Sequence, residues 1–270
     1  MTVAVTGATG ELGGRVARRL ADRGQEQILV VRDAARAPAL EGAEVREASS
    51  YGAREEVQRA LEGVHTLLLV PAAESEDRVE QHLTAVDAAR DAGVKRIVYL
   101  SFVGAAPDST FTLARHHWAT EEHVRATGLR FTFVRMSMYM DFIPLFAGED
   151  GVIRGPGGDG RVGAVLRDDI ADVCAAVLTQ GGHDGETYDV TGPRAFSLTE
   201  VAEELGVVYE EETVEEAWES RRASGAPDWM IEGWVTSYLA IAAGDLDLVT
   251  DTVERVAGHP PVDLVDWLRS

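Results

Sequence analysis

Short apolar runs recur along this chain, and segments of helical period lie between them. The runs cover residues 3–6, 27–31, 43–46, 66–70, 96–101, 131–135 and 187–191. Runs of that length, rich in Val and Ile and bounded by Gly, Asp or Ser, read as strands. Regular alternation of such strands with helices predicts an α/β protein: a doubly wound parallel sheet covered on both faces, with right-handed crossovers. The run Thr66-Leu67-Leu68-Leu69-Val70 does not alternate, as expected of a strand buried on both sides. From residue 141 the rhythm breaks. A turn-rich stretch, Gly155-Pro156-Gly157-Gly158-Asp159-Gly160, is followed by a helix over 168–173 with acids in its first turn. Ser197 and Glu200 have the spacing of a capping box. The expected organisation is a nucleotide-binding core over 1–140, with 168–192 returning to it. A small carboxyl-terminal substrate lobe takes 141–167 and 193–270.

The first run ends in glycines: Val3-Ala4-Val5-Thr6-Gly7-Ala8-Thr9-Gly10-Glu11-Leu12-Gly13-Gly14. A helical pattern starts at once with Arg15-Val16-Ala17-Arg18-Arg19-Leu20. In such a strand–turn–helix, Gly7 lets the chain turn, Gly10 lets a phosphate approach backbone, and Gly13 lets the helix pack close to the strand. The uncapped N–H groups of the helix then face a pyrophosphate. This makes Gly7, Ala8, Thr9, Gly10, Glu11 and Leu12 candidate dinucleotide contacts. The ribose-reading position follows about 20 residues later, at Val31-Arg32-Asp33. An acid there would take the two hydroxyls of NAD; an arginine would pair with the extra phosphate of NADP. Arg32 comes directly after the apolar run, with Arg36 near, and favours NADP.

In open sheets of this kind ligands sit beyond the carboxyl ends of strands. Val70, Pro71 and Ala72 should therefore line the middle of the cofactor, and Met136 to Tyr139 should lie beside the nicotinamide or fill core. Tyr51 either packs near an adenine or is an exposed loop residue. Ser101 ends the fifth strand, where its hydroxyl would reach a substrate carbonyl. The segment 113–124 is helical and carries His116, His117 and His123. His117 and Glu121 share one face at i,i+4, whereas His116, His123 and the earlier His82 are expected on solvated faces. No ligand spacing suggests a metal site. In the tail half, Trp218, Trp229, Trp234 and Tyr238 either roof a substrate cleft or form the lobe's own core. The acidic tract 210–216 reads as a solvated helix face.

The formal charge of −21 repels phosphate backbones and argues against a nucleic-acid partner. One cysteine, Cys174, precludes an internal disulfide and fits a reducing, cytoplasmic setting. No run of about 18 apolar residues predicts a membrane span. The first residues already belong to a strand, so no leader is expected. Lys95 is the sole lysine; every other basic residue except the histidines is arginine.

With these residues the chain resembles the NmrA-like group of atypical short-chain dehydrogenases/reductases, and most of all its NADPH:quinone oxidoreductase branch. The likeness rests on Thr6 to Gly14, Val31-Arg32-Asp33, the His117…Thr120-Glu121 helix, Gly158-Asp159-Gly160 and Arg167-Asp168-Asp169-Ile170-Ala171-Asp172. Tyr188-Asp189-Val190-Thr191-Gly192-Pro193 and the tail Asp251-Thr252-Val253-Glu254-Arg255…Gly258-His259-Pro260-Pro261 add to it. It implies a Rossmann-type fold, NADPH as cofactor, and hydride transfer to a quinone or similar conjugated acceptor. An NADP(H)-binding regulator without catalysis is the other activity found in the group. Ordinary members of the superfamily pair a tyrosine with a lysine four residues on; none of the six tyrosines here has that partner. The remaining expectation is a flat aromatic or quinonoid substrate held by Phe102, His117 and Tyr139. Ser101 or His117 would donate a hydrogen bond to it, with Glu121 orienting His117. The oligomeric state stays open.

Overall fold

A computed structural model describes residues 1–148 and 150–269. In chain order the elements begin with β1 (Val3–Thr6), α1 (Glu11–Asp22), β2 (Gln27–Val31), β3 (Ala43–Glu47), α2 (Arg54–Ala60) and β4 (Thr66–Leu69). Next come α3 (Arg78–Asp91), β5 (Arg96–Phe102), α4 (Thr112–Ala126), β6 (Arg130–Met136), β7 (Val152–Gly155) and β8 (Arg161–Val162). The chain continues through α5 (Arg167–Thr179), β9 (Thr187–Val190), β10 (Phe196–Ser197), α6 (Leu198–Leu205) and β11 (Val208–Glu211). It ends with α7 (Val214–Arg222), α8 (Asp228–Ala242) and α9 (Leu264–Leu268).

Seven strands form the main sheet in the order β3-β2-β1-β4-β5-β6-β9. The pairs β1–β2, β1–β4, β2–β3 and β4–β5 run parallel. The order reverses between β1 and β4, so the chain leaves these two neighbours in opposite directions and opens a crevice beyond their carboxyl ends. All four residues of β4 and all seven of β5 are buried, as an apolar strand covered on both faces must be.

The chain divides into two compact units. The first comprises Met1–Ser101, His117–Arg135 and Arg167–Tyr188; the second comprises Phe102–His116, Met136–Leu166 and Asp189–Ser270. In the first unit, Gly7 adopts φ +64°, a left-handed conformation that glycine enters without strain. A Cβ on Gly13 would lie 2.4 Å from the Gly7 carbonyl oxygen, so only glycine allows α1 to rest on the turn. The core around Ile28, Leu67, Leu69, Ile97, Tyr99 and Phe133 is fully buried. Helix α1 is tied to α5 by charge: Arg19 donates to both oxygens of Asp172 and to Asp168, and Arg15 donates to Asp168.

The second unit has two small sheets, parallel β7–β11 and antiparallel β8–β10. The ring of Tyr238 occupies the space that a Cβ on Gly155 would need, 2.4 Å away, and Arg221 lies 5.1 Å over that ring. Trp218 packs on Ala217, Ile231 and Val235, so these two aromatics are core of this unit. The acidic tract is not one helix face: Glu210 and Glu211 lie in β11, paired with Arg154 and Gly155. The helix starts only after Thr213, whose hydroxyl forms a capping box with Glu216. Strand pairing has overridden a helix-compatible composition there. The expected box of Ser197 and Glu200 is present at the start of α6.

The α1–α5 clamp has a defined pH signature. Burial would raise the Asp168 carboxyl, but the hydrogen bonds and charges of Arg19 and Arg15 outweigh it and hold the group below its ordinary 3.8. A carboxyl depressed in the folded state contributes stability above its ordinary pKa and loses it as pH falls through the folded value. Arg19→Ala should therefore lower Tm by about 2–4 °C at pH 7, the scale of about 1 kcal/mol for a partly exposed network. The gap to wild type should close below about pH 4. A gap that persists unchanged at pH 3 would mean that Arg19 acts through packing alone.

Candidate cofactor cleft and its buried polar network

The crevice between β1 and β4 is a cavity of about 440 Å³. Its floor is the glycine turn and the first turn of α1: Gly7, Thr9, Gly10, Glu11, Leu12 and Gly13. One end is formed by Val30, Val31 and Arg32 from β2, and by Ala48 to Tyr51 beyond β3. The far wall is the segment leaving β4, Val70 to Ser75, with Gln81 of α3. Of the residues singled out for a cofactor, Ala8 is buried at 2% exposure beneath the turn, and Met136 is buried at the end of β6.

Gly10 caps α1 without a side chain, so no side-chain oxygen takes the first N–H groups of the helix. Those donors and the positive end of the helix dipole border the cavity and suit a pyrophosphate. Glu11 stands at the same place, but its carboxylate is turned back onto Arg15, whose hydrogen bond and charge hold it below the usual carboxylate range. At the β2 end the two candidates separate. Asp33 accepts from the Ala35 N–H at 2.9 Å and caps a short 3-10 turn, whereas Arg32 is exposed and borders the cavity.

The residues expected to carry chemistry are engaged within the protein. Ser101 is fully buried and its hydroxyl donates to Glu121 Oε1 at 2.6 Å. Glu121, also fully buried, accepts from Arg135 at both carboxylate oxygens and from Arg125. It therefore does not orient His117, contrary to the i,i+4 expectation; two arginines hold it instead. His117 is 3% exposed, with Nδ1 at 3.0 Å from the Tyr99 hydroxyl and Nε2 at 3.5 Å from Arg78. Arginine can only donate, so His117 Nε2 accepts and Nδ1–H donates to Tyr99. Burial pushes the Tyr99 phenol well up, so it stays protonated. His82 is not on a solvated face either: it is fully buried, accepts from the Ala72 N–H at Nε2 and meets Thr120 Oγ1 through Nδ1. His123 pairs with Asp87 at 3.1 Å on a partly exposed surface. In the second unit, Phe102 packs edge-on against Phe111, and Tyr139 is half-buried before the 3-10 turn Met140–Phe146.

The sequence did contain a signal for His82. His82, Ala85, Val86 and Ala89 follow the i, i+3, i+4, i+7 spacing of a buried helix face, and Arg78 lies one turn before them. Taking histidine as a surface residue by type hid this pattern.

Residues 7–181 match the protein-family description "NAD(P)H-binding". The chain belongs to this family. Among curated proteins it is 32% identical to Quinone oxidoreductase 2 of Escherichia coli (strain K12), covering 98% of this chain and 96% of that one. It is 33% identical to NAD(P)H azoreductase of Xenophilus azovorans, covering 99% and 97% of the two chains. The solved structure of the Escherichia coli NADPH-dependent quinone oxidoreductase complexed with NADPH superposes with a TM-score of 0.90 at 33% identity, over 100% of both chains. Among the described residues no helix is long and apolar enough to cross a membrane.

The glycines of the turn should separate by experiment. A Cβ at Gly10 meets nothing closer than 3.3 Å, whereas one at Gly13 meets the Gly7 backbone. Gly10→Val should keep wild-type thermal stability within about 3 °C and lose dinucleotide binding in a fluorescence titration. Gly13→Ala should cost about 1–3 kcal/mol in chemical denaturation, as overpacking does. Normal dinucleotide binding by Gly10→Val would remove the phosphate from this turn.

Proposed function

We propose that this protein is an NADPH-dependent reductase of quinones or similar conjugated, aromatic carbonyl compounds. Its likeness over nearly its whole length to the Escherichia coli quinone oxidoreductase carries this reading. When bound, NADPH supplies the hydride. The protein's own work is to hold, orient and shield. The first N–H groups of α1 would take the pyrophosphate, and Arg32 would pair with the 2′-phosphate. Asp33, committed to its own 3-10 turn, leaves the ribose end to arginine. That charge pattern supports NADPH over NADH.

Quinones accept hydride without strong acid assistance, so positioning can supply much of the rate. Tyrosine–lysine proton transfer has no place here, because Lys95 precedes β5 at the opposite edge from the cleft. Ser101 and His117 direct their protons to Glu121 and Tyr99, which makes them positioning groups in this reading. Tyr139, which follows the end of β6, is the candidate hydrogen-bond donor to the reduced oxygen in this reading. The same engagement of Ser101 and His117 also favours the second reading, an NADP(H)-binding regulator that turns nothing over. Cys174, fully buried with its thiol pushed up to about 12 by burial, plays no part in either and suits a cytoplasmic protein.

NADPH oxidation against a small quinone panel tests the proposal. Wild type should turn over quinones with NADPH and much more slowly with NADH. Arg32→Ala should weaken NADPH binding about 10- to 100-fold, the worth of a charge-assisted pair, and leave NADH nearly unchanged. Tyr139→Phe should slow turnover by about 100-fold, the low end for a proton donor. Tight NADPH binding with no quinone reduction would establish the regulatory reading. A wild-type preference for NADH would overturn the role of Arg32.

A further inference from the structure

The wall of the cleft beyond β4 is irregular backbone, yet its polar groups are not left to solvent. Thr6 Oγ1 accepts from the Val70 N–H at 2.9 Å, and the Tyr51 hydroxyl donates to the Val70 carbonyl at 2.6 Å. Two residues further on, His82 Nε2 accepts from the Ala72 N–H at 2.9 Å and Arg78 Nε donates to the Ala72 carbonyl at 3.1 Å. Both faces of the Ala72 backbone are thus gripped by one helix, α3, from residues one turn apart.

The grip is expensive. Arg78 is 6% exposed, and among the described residues its hydrogen-bond partners are a peptide carbonyl and the imidazole of His117, with no carboxylate. A nearly buried guanidinium facing neutral acceptors costs stability that an apolar residue would not. Such a feature beside a ligand cleft is better explained by what it positions than by what it stabilises. Loops without a ladder partner otherwise open locally at little cost, and a wall that opens must be reordered by each ligand it receives.

We infer that Arg78 and His82 are cofactor-positioning residues: as a two-pronged clamp on Ala72 they hold the β4-exit wall in its binding form before the dinucleotide arrives. This rests on the cleft being the NADPH site. The Ala72 N–H can only donate, so Nε2 accepts and neutral His82 is the Nδ1–H tautomer, with Nδ1–H directed at Thr120 Oγ1. Arg78 also occupies Nε2 of His117, so the same side chain that holds the wall sets the tautomer of the histidine on α4.

Amide hydrogen exchange on the cofactor-free protein, together with NADPH titration, tests the inference. His82→Gln places an amide oxygen where Nε2 accepts and should bind NADPH within about threefold of wild type. His82→Leu fills the space with an apolar side chain and removes the acceptor. It should lose exchange protection in the peptide covering 70–76 and not elsewhere, and should weaken NADPH binding about 10- to 100-fold. Arg78→Met attacks the other prong and should give the same two changes; it decides the matter should His82→Leu not fold. Uniformly faster exchange across the chain would mark a general structural role and overturn the clamp. So would a glutamine variant as impaired as the leucine one. Local loosening at 70–76 with unchanged NADPH affinity would overturn the positioning role while leaving the cleft assignment intact. Failure of wild type to bind NADPH would instead overturn the cleft assignment, and the positioning role with it.

Discussion

The distance between the α1 backbone at Gly13 and the carbonyl of Gly7 is the dimension on which the first unit depends. With room for hydrogen and nothing larger, the helix can sit on the turn that ends β1 and aim its uncapped N–H groups beyond the strand. Moving the helix outward by the width of a methyl group would open the floor of the cleft and shift Arg15 and Arg19, which join it to α5. One steric allowance thus fixes the phosphate end of the cleft, the packing of α1 and the register of a charge network about 150 residues away in sequence.

Opposite this floor stands a wall made by a different device. The turn is rigid because its backbone packs tightly; the β4 exit is ordered because side chains from β1, the β3–α2 connection and α3 take up its polar groups. The two walls of one cleft are therefore set by independent parts of the sequence. Behind the second wall lies the polar layer of Arg78, His82, Tyr99, His117 and Thr120, built between α3, β5 and α4. Deeper still, Glu121 ties Ser101 to Arg125 and Arg135.

Local rules made much of this legible. Apolar runs located the strands of the main sheet to within a residue or two, most plainly β1, β2 and β4, which are buried along their whole length and leave little choice of composition. The glycine turn was readable because each glycine meets a distinct steric demand. Readings that depended on partners far apart in sequence fared worse. The i,i+4 spacing of His117 and Glu121 was real and both lie on the buried face of α4. Yet the acid faces Arg135 on β6, which no helical spacing can reveal. His82 was misplaced because residue type was weighed above the apolar positions around it. The tract after 208 became a strand because β7, more than 50 residues earlier in sequence, offered it a ladder.

The lone lysine has a practical corollary. Lys95 is exposed and precedes β5, on the amino edge of a sheet whose cleft opens at the carboxyl edge. Amine-directed reagents, which elsewhere decorate a protein at many points, find besides the terminal α-amine a single side chain here. Coupling through it would anchor every molecule in one orientation on a sensor surface, its cleft turned toward the flowing solution. A fluorophore placed there would report tumbling without approaching the ligand.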